Sequence, residues 1–297
     1  MKEQNLYSEG ANKLVCTPLG TIAKGQDGAI WDELLFRFDS KGNCRVYDLS
    51  DLTEVGAFTL DKTDLLMPHS NAVCFGTEFF AEGDPFPILY TNLYNTYAGE
   101  EDRREGVCCA YRIVREKGIF SSQLVQVIRL DFVHTDLWRS ENGEDMRPYG
   151  NFVIDARTAT LHAFVMRCGD RNTRFFRFAL PTPDQGTLDK VWGVPVVLLT
   201  QKDILCQFDS DYIHYMQGAI CHKGLIYSVE GFTAPNERGL PALRIFDTRQ
   251  EKQVFFADLV AYGLTIEPEF VEVYQGMLYY ADHSGNVYRL RFMGDAL

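Results

Sequence analysis

The sequence predicts an all-β fold, a five-bladed β-propeller whose N-terminal strand completes the last blade. Three observations lead there. Helical periodicity is nearly missing, while short runs of period-two alternation recur between turn signals. A four-strand unit repeats along the chain, and its last copy stops one strand short while an orphan strand stands at the front. Composition agrees, with 46% hydrophobic and 13% aromatic residues, 21 Phe and 15 Tyr among them. That is enough for a sizeable core biased toward strands.

In chain order, LVCTPLGTIA (14–23) is the orphan strand. The first full unit is 25–60, an apolar strand, a turn, a second strand, then CRVYDL, a polar turn and a last strand ending in Phe and Leu. The same order returns at 216–259, where LRIFDT stands for CRVYDL. A third copy, 269–292, aligns Gln275-Gly276 with Lys223-Gly224 and His283 to Asn286 with Ser40 to Asn43, and ends after three strands. Two looser copies fill the middle. One is HSNAVCFG, FPILYTN, VCCAYRIV and QLVQVIRL (69–130); the other is GNFVIDA, LHAFVMRC, TRFFRFAL and VPVVLLT (150–200). Pairing the orphan strand onto the last unit closes the ring and removes the exposed edges that strand-rich folds must manage. Segments 94–106, 134–148, 181–193 and 233–241 are rich in Gly, Pro and charge and read as surface loops. No linker divides the chain, so residues 1–297 are expected to form a single propeller domain.

A formal net charge of −12 argues against nucleic acid and anionic membranes as partners, since both need a basic face. The N-terminus, MKEQNLYSEG, has no signal-peptide core, and no run of 18 uncharged apolar residues occurs, so a cytoplasmic location is expected. Eight scattered cysteines in a chain with a large core predict free thiols. Without CxxC or HExxH spacing no metal site is expected, and the glycines form no phosphate cradle before a helix, so no cofactor is expected either. GxSxG is absent too, which excludes an α/β-hydrolase nucleophile elbow.

The innermost strand of each blade lines the channel of a propeller. Aligning units on their second strands places Gln26, Gln217 and Glu269 each eight residues before Leu34, Leu225 and Met277. The looser units add His69 with Asn71, and Tyr149 with Asn151. Together they form a polar ring able to hold a small polar molecule, peptide or glycan at one mouth, although wet channel mouths carry polar residues in any case. A slip of one residue would turn these side chains away. His69 beside Glu269 offers an acid–base pair near neutral pH, and Glu230 lies near the same rim as a second carboxylate. His222 and His283 fall in tight turns and read as solvated; His134, His162 and His214 read as isolated.

The segment MQGAICHKGLIYSVEGF, followed by LRIFDT, resembles the plant and bacterial type of glutaminyl cyclase, a five-bladed propeller family whose blades open with a QG turn and such a strand. The resemblance covers one blade well. It implies a channel glutamate acting on a substrate amino group. The matching position here is Ser228, with Glu230 two residues further on the same strand face, and Trp31, Trp138 and Trp192 do not fall where that family has channel tryptophans. The expected function is therefore ligand binding by Gln26, His69, Asn71, Tyr149, Asn151, Gln217, Glu230 and Glu269. The alternatives are a channel enzyme performing acyl transfer, lyase or glycoside chemistry with a Glu/His pair, and an interaction scaffold using loops 94–106 and 134–148.

Overall fold

The computed structural model describes residues 5–66, 68–93, 106–131, 133–134, 139–140, 146–167, 172–212 and 214–294. Strand β1 (Ala11–Thr21) precedes the first blade, made of β2 (Gly28–Trp31), β3 (Leu34–Phe38), β4 (Asn43–Asp48) and β5 (Glu54–Thr59). Blade two is β6 (Val73–Phe75), β7 (Leu89–Asn92), β8 (Val107–Glu116) and β9 (Ile119–Leu130); a small hairpin, β10 (Val133–His134) and β11 (Arg139–Ser140), follows. Next come β12 (Met146–Asp155), β13 (Thr160–Arg167), β14 (Thr173–Ala179), β15 (Thr187–Leu188), β16 (Pro195–Leu199) and β17 (Cys206–Asp209). Blade four is β18 (Met216–His222), β19 (Leu225–Glu230), β20 (Ala242–Asp247) and β21 (Lys252–Asp258), and blade five opens with β22 (Pro268–Tyr274), β23 (Met277–Asp282) and β24 (Asn286–Gly294).

The five sheets stand in a ring. β1 pairs antiparallel with β24, from Ala11 opposite Gly294 to Thr21 opposite Asn286, so the last sheet has the order β1-β24-β23-β22. The predicted closure is present. Innermost hairpins turn through two residues of positive φ, Lys223 (55°) with Gly224 (77°) and Gln275 (49°) with Gly276 (72°), as the right-handed strand twist favours in a two-residue hairpin. Blade one makes the same turn with Asp32 (47°) and Glu33 (63°). The core lies between sheets: Phe36 of blade one is fully buried and meets Phe75 and Phe86 of blade two edge-on, with centroids 5.3 and 5.2 Å away. Near the axis a Cβ on Gly218 would stand 2.7 Å from the Glu269 carbonyl oxygen, so glycine lets the inner strands of blades four and five meet.

One assignment changes. The run VPVVLLT was expected to be the outer strand of blade three. Instead β16 pairs parallel with β9 of blade two, Val196 opposite Val127 to Leu199 opposite Leu130, and β17 closes blade three against β14. An apolar run carries no information about which edge it covers; the long β9 presents the longer open edge, and β16 with β15 extends blade two to six strands. Among the described residues no helix is long and apolar enough to cross a membrane.

Candidate functional site at the channel mouth

The side chains at the mouth are aimed by breaks in strand register. On β18 and β19, Met216 faces Glu230 and Gly218 faces Val229, so Gln217 is an extra residue. On β22 and β23, Pro268 faces Asp282 and Phe270 faces Ala281, which leaves Glu269 at the equivalent place. On β12, Pro148 and Asn151 face consecutive residues of β13, Val165 and Phe164. Each is a bulge, which bends a strand and redirects the inserted side chain. The result is a cavity of about 350 Å³ whose lining includes Gln26, His69, Asn71, Asn151, Gln217 and Glu269. Glu230 is buried behind this wall, and the side chain of Tyr149 lies outside the described residues.

Glu269 is 2% exposed. Its Oε1 accepts hydrogen bonds from Gln26 Nε2 at 3.2 Å and His283 Nδ1 at 2.8 Å, whereas Oε2 is buried with no hydrogen-bond partner among the described residues. Burial raises its pKa, the His283 bond and the Arg37 charge pull it back, and the balance leaves it at about 7. His283 is raised in turn by its bond to Glu269. The imidazole bonded to the carboxylate is thus His283, in a turn read from sequence as solvated, rather than the expected His69. His69 lines the same cavity, and burial lowers its pKa, so it is neutral at pH 7. Arg37 reaches in from β3: its Nη2 donates to the carbonyls of Gly25 and Asp282, which fixes the cation beside Glu269.

The other half of the mouth is also preorganised. Gln217 Nε2 donates to Glu267 Oε1 at 2.6 Å and to the Gly231 carbonyl at 3.2 Å. Glu267 is raised by burial, with His283 and Arg238 opposing. The Arg238 guanidinium lies 4.0 Å from the centre of the Phe232 ring, and both residues line the cavity. Opposite them, buried Asn92 donates to Asn71 Oδ1 at 2.5 Å and to Asn151 Oδ1 at 2.9 Å, which holds two expected ligand-binding amides in place.

Beneath this wall Ser228 Oγ and His214 Nε2 are 2.7 Å apart, His214 Nδ1 bonds Glu230 Oε2, and Arg244 Nε donates to Glu230 Oε1. The order serine, imidazole, carboxylate matches that of hydrolytic triads. Access decides otherwise: Ser228 is fully buried and does not line the cavity, whereas His214 does. The imidazole is packed against Phe164 and Phe246, with centroids 6.1 and 5.6 Å away. Burial raises the Glu230 pKa, but His214 and Arg244 outweigh it and hold the carboxyl below its ordinary value. Glu230 and Ser228 therefore orient His214. Neither lines this cavity; Glu230 instead lines an adjoining one of about 330 Å³, with Arg238 and Arg244. His214 and Glu267 had no motif to announce them; only the alternation of β19, which puts Ser228 and Glu230 on one face, was a signal.

Among the described residues no group of three or more His, Cys, Asp or Glu side chains is placed to hold a metal ion. Residues 257–290, from the end of β21 into β24, match the family model described as strictosidine synthase-like, N-terminal. Comparison with curated proteins gives no significant match. Among solved structures, the chain is similar to glutaminyl cyclase from Myxococcus xanthus at 12% identity, over 95% of this chain and 96% of that one, with a TM-score of 0.52. It also matches Sqt1 from Saccharomyces cerevisiae at 8% identity over 88% and 55% of the two chains, with a TM-score of 0.36. The computationally designed Ika8 protein gives 8% identity, 93% and 100% coverage, and a TM-score of 0.36. The likeness to the cyclase is one of fold, a five-bladed β-propeller.

Proposed function

We propose that the chain binds a small polar molecule bearing an amine or clustered hydroxyls, free or at the end of a peptide or glycan, at the channel mouth. One observation carries this reading: Glu269 lines the cavity, yet its buried Oε2 has no hydrogen-bond partner among the described residues. A buried acceptor in a native fold calls for a donor. An ammonium or hydroxyl supplies one, and the amides of Gln26 and Gln217, the neutral His69 and the Phe232 ring supply further polar and apolar contacts. The volume, about 350 Å³, lies in the range of small-molecule sites.

The test is a thermal-shift screen with amines, sugars and short peptides at pH 7, where a ligand at about 100 times its Kd adds roughly 2.7 kcal/mol. Glu269→Gln keeps the shape and removes the acceptor charge. It is expected to weaken the ligand at least about tenfold while moving the melting temperature by no more than about 2 °C. Equal affinity for both proteins overturns the reading.

A second reading is supported by the Glu269–His283 pair, a carboxyl with a pKa of about 7 bonded to a raised imidazole. Such a pair moves protons at neutral pH. The likeness in fold to a glutaminyl cyclase gives the first reaction to assay, ammonia release from a peptide with N-terminal glutamine. Turnover lost in Glu269→Gln supports catalysis; binding without turnover leaves the receptor reading.

A further inference from the structure

The opposite face of the ring holds a second cavity, of about 440 Å³, between blades three and four. Met216, at one end of β18, lines the channel mouth, while Lys223 and Gly224, just past its other end at His222, line the second cavity. Seven strand residues span about 20 Å, so the two sites are separate.

The lining of this cavity is basic on a chain whose formal net charge is −12. Arg157 comes from the β12–β13 turn, Arg177 from β14, Lys223 from the β18–β19 turn and Arg249 from the β20–β21 turn. The one carboxylate in the lining, Asp155, accepts the backbone N–H of Arg157 at 3.1 Å and so is engaged in its own turn. Arg249 Nε and Nη2 each donate to a different oxygen of Asp247 at 3.4 Å, a long fork, and the Arg249 side chain is 71% exposed. Arg177 Nε is buried and has no acceptor among the described residues. A buried guanidinium donor without an acceptor calls for one, and an anion in the cavity would supply it.

We propose that this cavity is a binding site for a phosphate group carried by a small phosphate ester. A planar carboxylate is matched by one guanidinium fork, whereas a tetrahedral dianion takes donors from several directions at once. Cations contributed by four separate elements of two blades fit the second case. The concave wall also focuses their field in an otherwise acidic protein.

Isothermal titration at low ionic strength tests this with glucose 6-phosphate, inorganic phosphate and neutral glucose, beside co-sedimentation with vesicles carrying phosphatidic acid. Glucose 6-phosphate is expected to bind with a Kd of about 1 mM or tighter and at least tenfold better than glucose. Arg177→Gln and Arg249→Gln should each weaken it at least about fivefold, while Glu269→Gln leaves it unchanged. Arg249→Gln alters an exposed side chain, so it carries the test if Arg177→Gln fails to fold. Vesicle binding lost in Arg249→Gln would support the same phosphate chemistry with a lipid head group as its source. Equal binding of glucose by the Glu269→Gln protein, whose channel mouth is disabled, undiminished binding in both arginine variants, or no response to ester and vesicles up to about 10 mM overturns the proposal.

Discussion

Asn92, on the second strand of blade two, donates a 2.9 Å hydrogen bond to Asn151 on the innermost strand of blade three. The same amide bonds Asn71 Oδ1, and its Oδ1 accepts the Ala72 N–H at 3.2 Å. One fully buried side chain thus joins two blades at the mouth. Asn92→Ala strands three buried polar groups, so a loss of about 2–4 kcal/mol in urea unfolding is expected, with weaker binding of any mouth ligand. A loss under about 0.5 kcal/mol would show that the amides find other partners.

Stability should fall as pH rises from 5 to 9. Burial lifts Glu272 to about 8 against the N–H bonds of Val273 and Ile30, and lifts Glu269 to about 7. In the unfolded chain both lose their protons near the ordinary carboxyl value, so between that value and 8 the native state holds more protons and each step up in pH favours unfolding. The raised His283 acts in the same direction. Urea unfolding is expected to show a loss on the order of a few kcal/mol at pH 9 relative to pH 5. Glu272→Gln should flatten this dependence, and an unchanged slope in that variant would exclude Glu272 as its source.

Removing residues 1–24 takes away β1 and leaves β24 as an open edge along Val287 to Phe292. Size-exclusion chromatography should show aggregation and a lowered melting temperature. A monomer that melts as before would refute the structural role of closure.

The seven cysteines among the described residues are free thiols; Cys168 lies outside them. Denaturing, nonreducing alkylation should label all eight. Among the described cysteines only half-buried Cys16 and Cys206 are within reach in the native state, and both react slowly. Burial raises the Cys16 pKa to about 11, and burial together with Glu251 raises that of Cys206. Rapid native labelling of Cys74 or Cys108 would contradict their burial.

Blade order and closure were legible because turn pairs and strand spacing repeat: Gln217 and Glu269 share a place eight residues before Leu225 and Met277. What alternation could not give was the bulge that turns those two side chains, since a bulge is a relation between strands. His283 was hidden for a similar reason. Its partner Glu269 lies on the neighbouring inner strand, 14 residues away, and a turn histidine carries no mark of what it reaches across. The departure of β16 to blade two shows the same limit, as Val196, Val197 and Leu198 fit either edge.

That departure also sets how the ring comes apart. In a chain of independent repeats each unit opens against its neighbours alone. Here the segment joining β14 to β17 within blade three leaves to hydrogen-bond β9 and then returns, so the outer edges of blades two and three are tied together by one connector. Blades two and three are stitched into one cooperative unit, and amides of β9 and β14 should exchange with solvent in concert, whereas those of blade four are free to open separately.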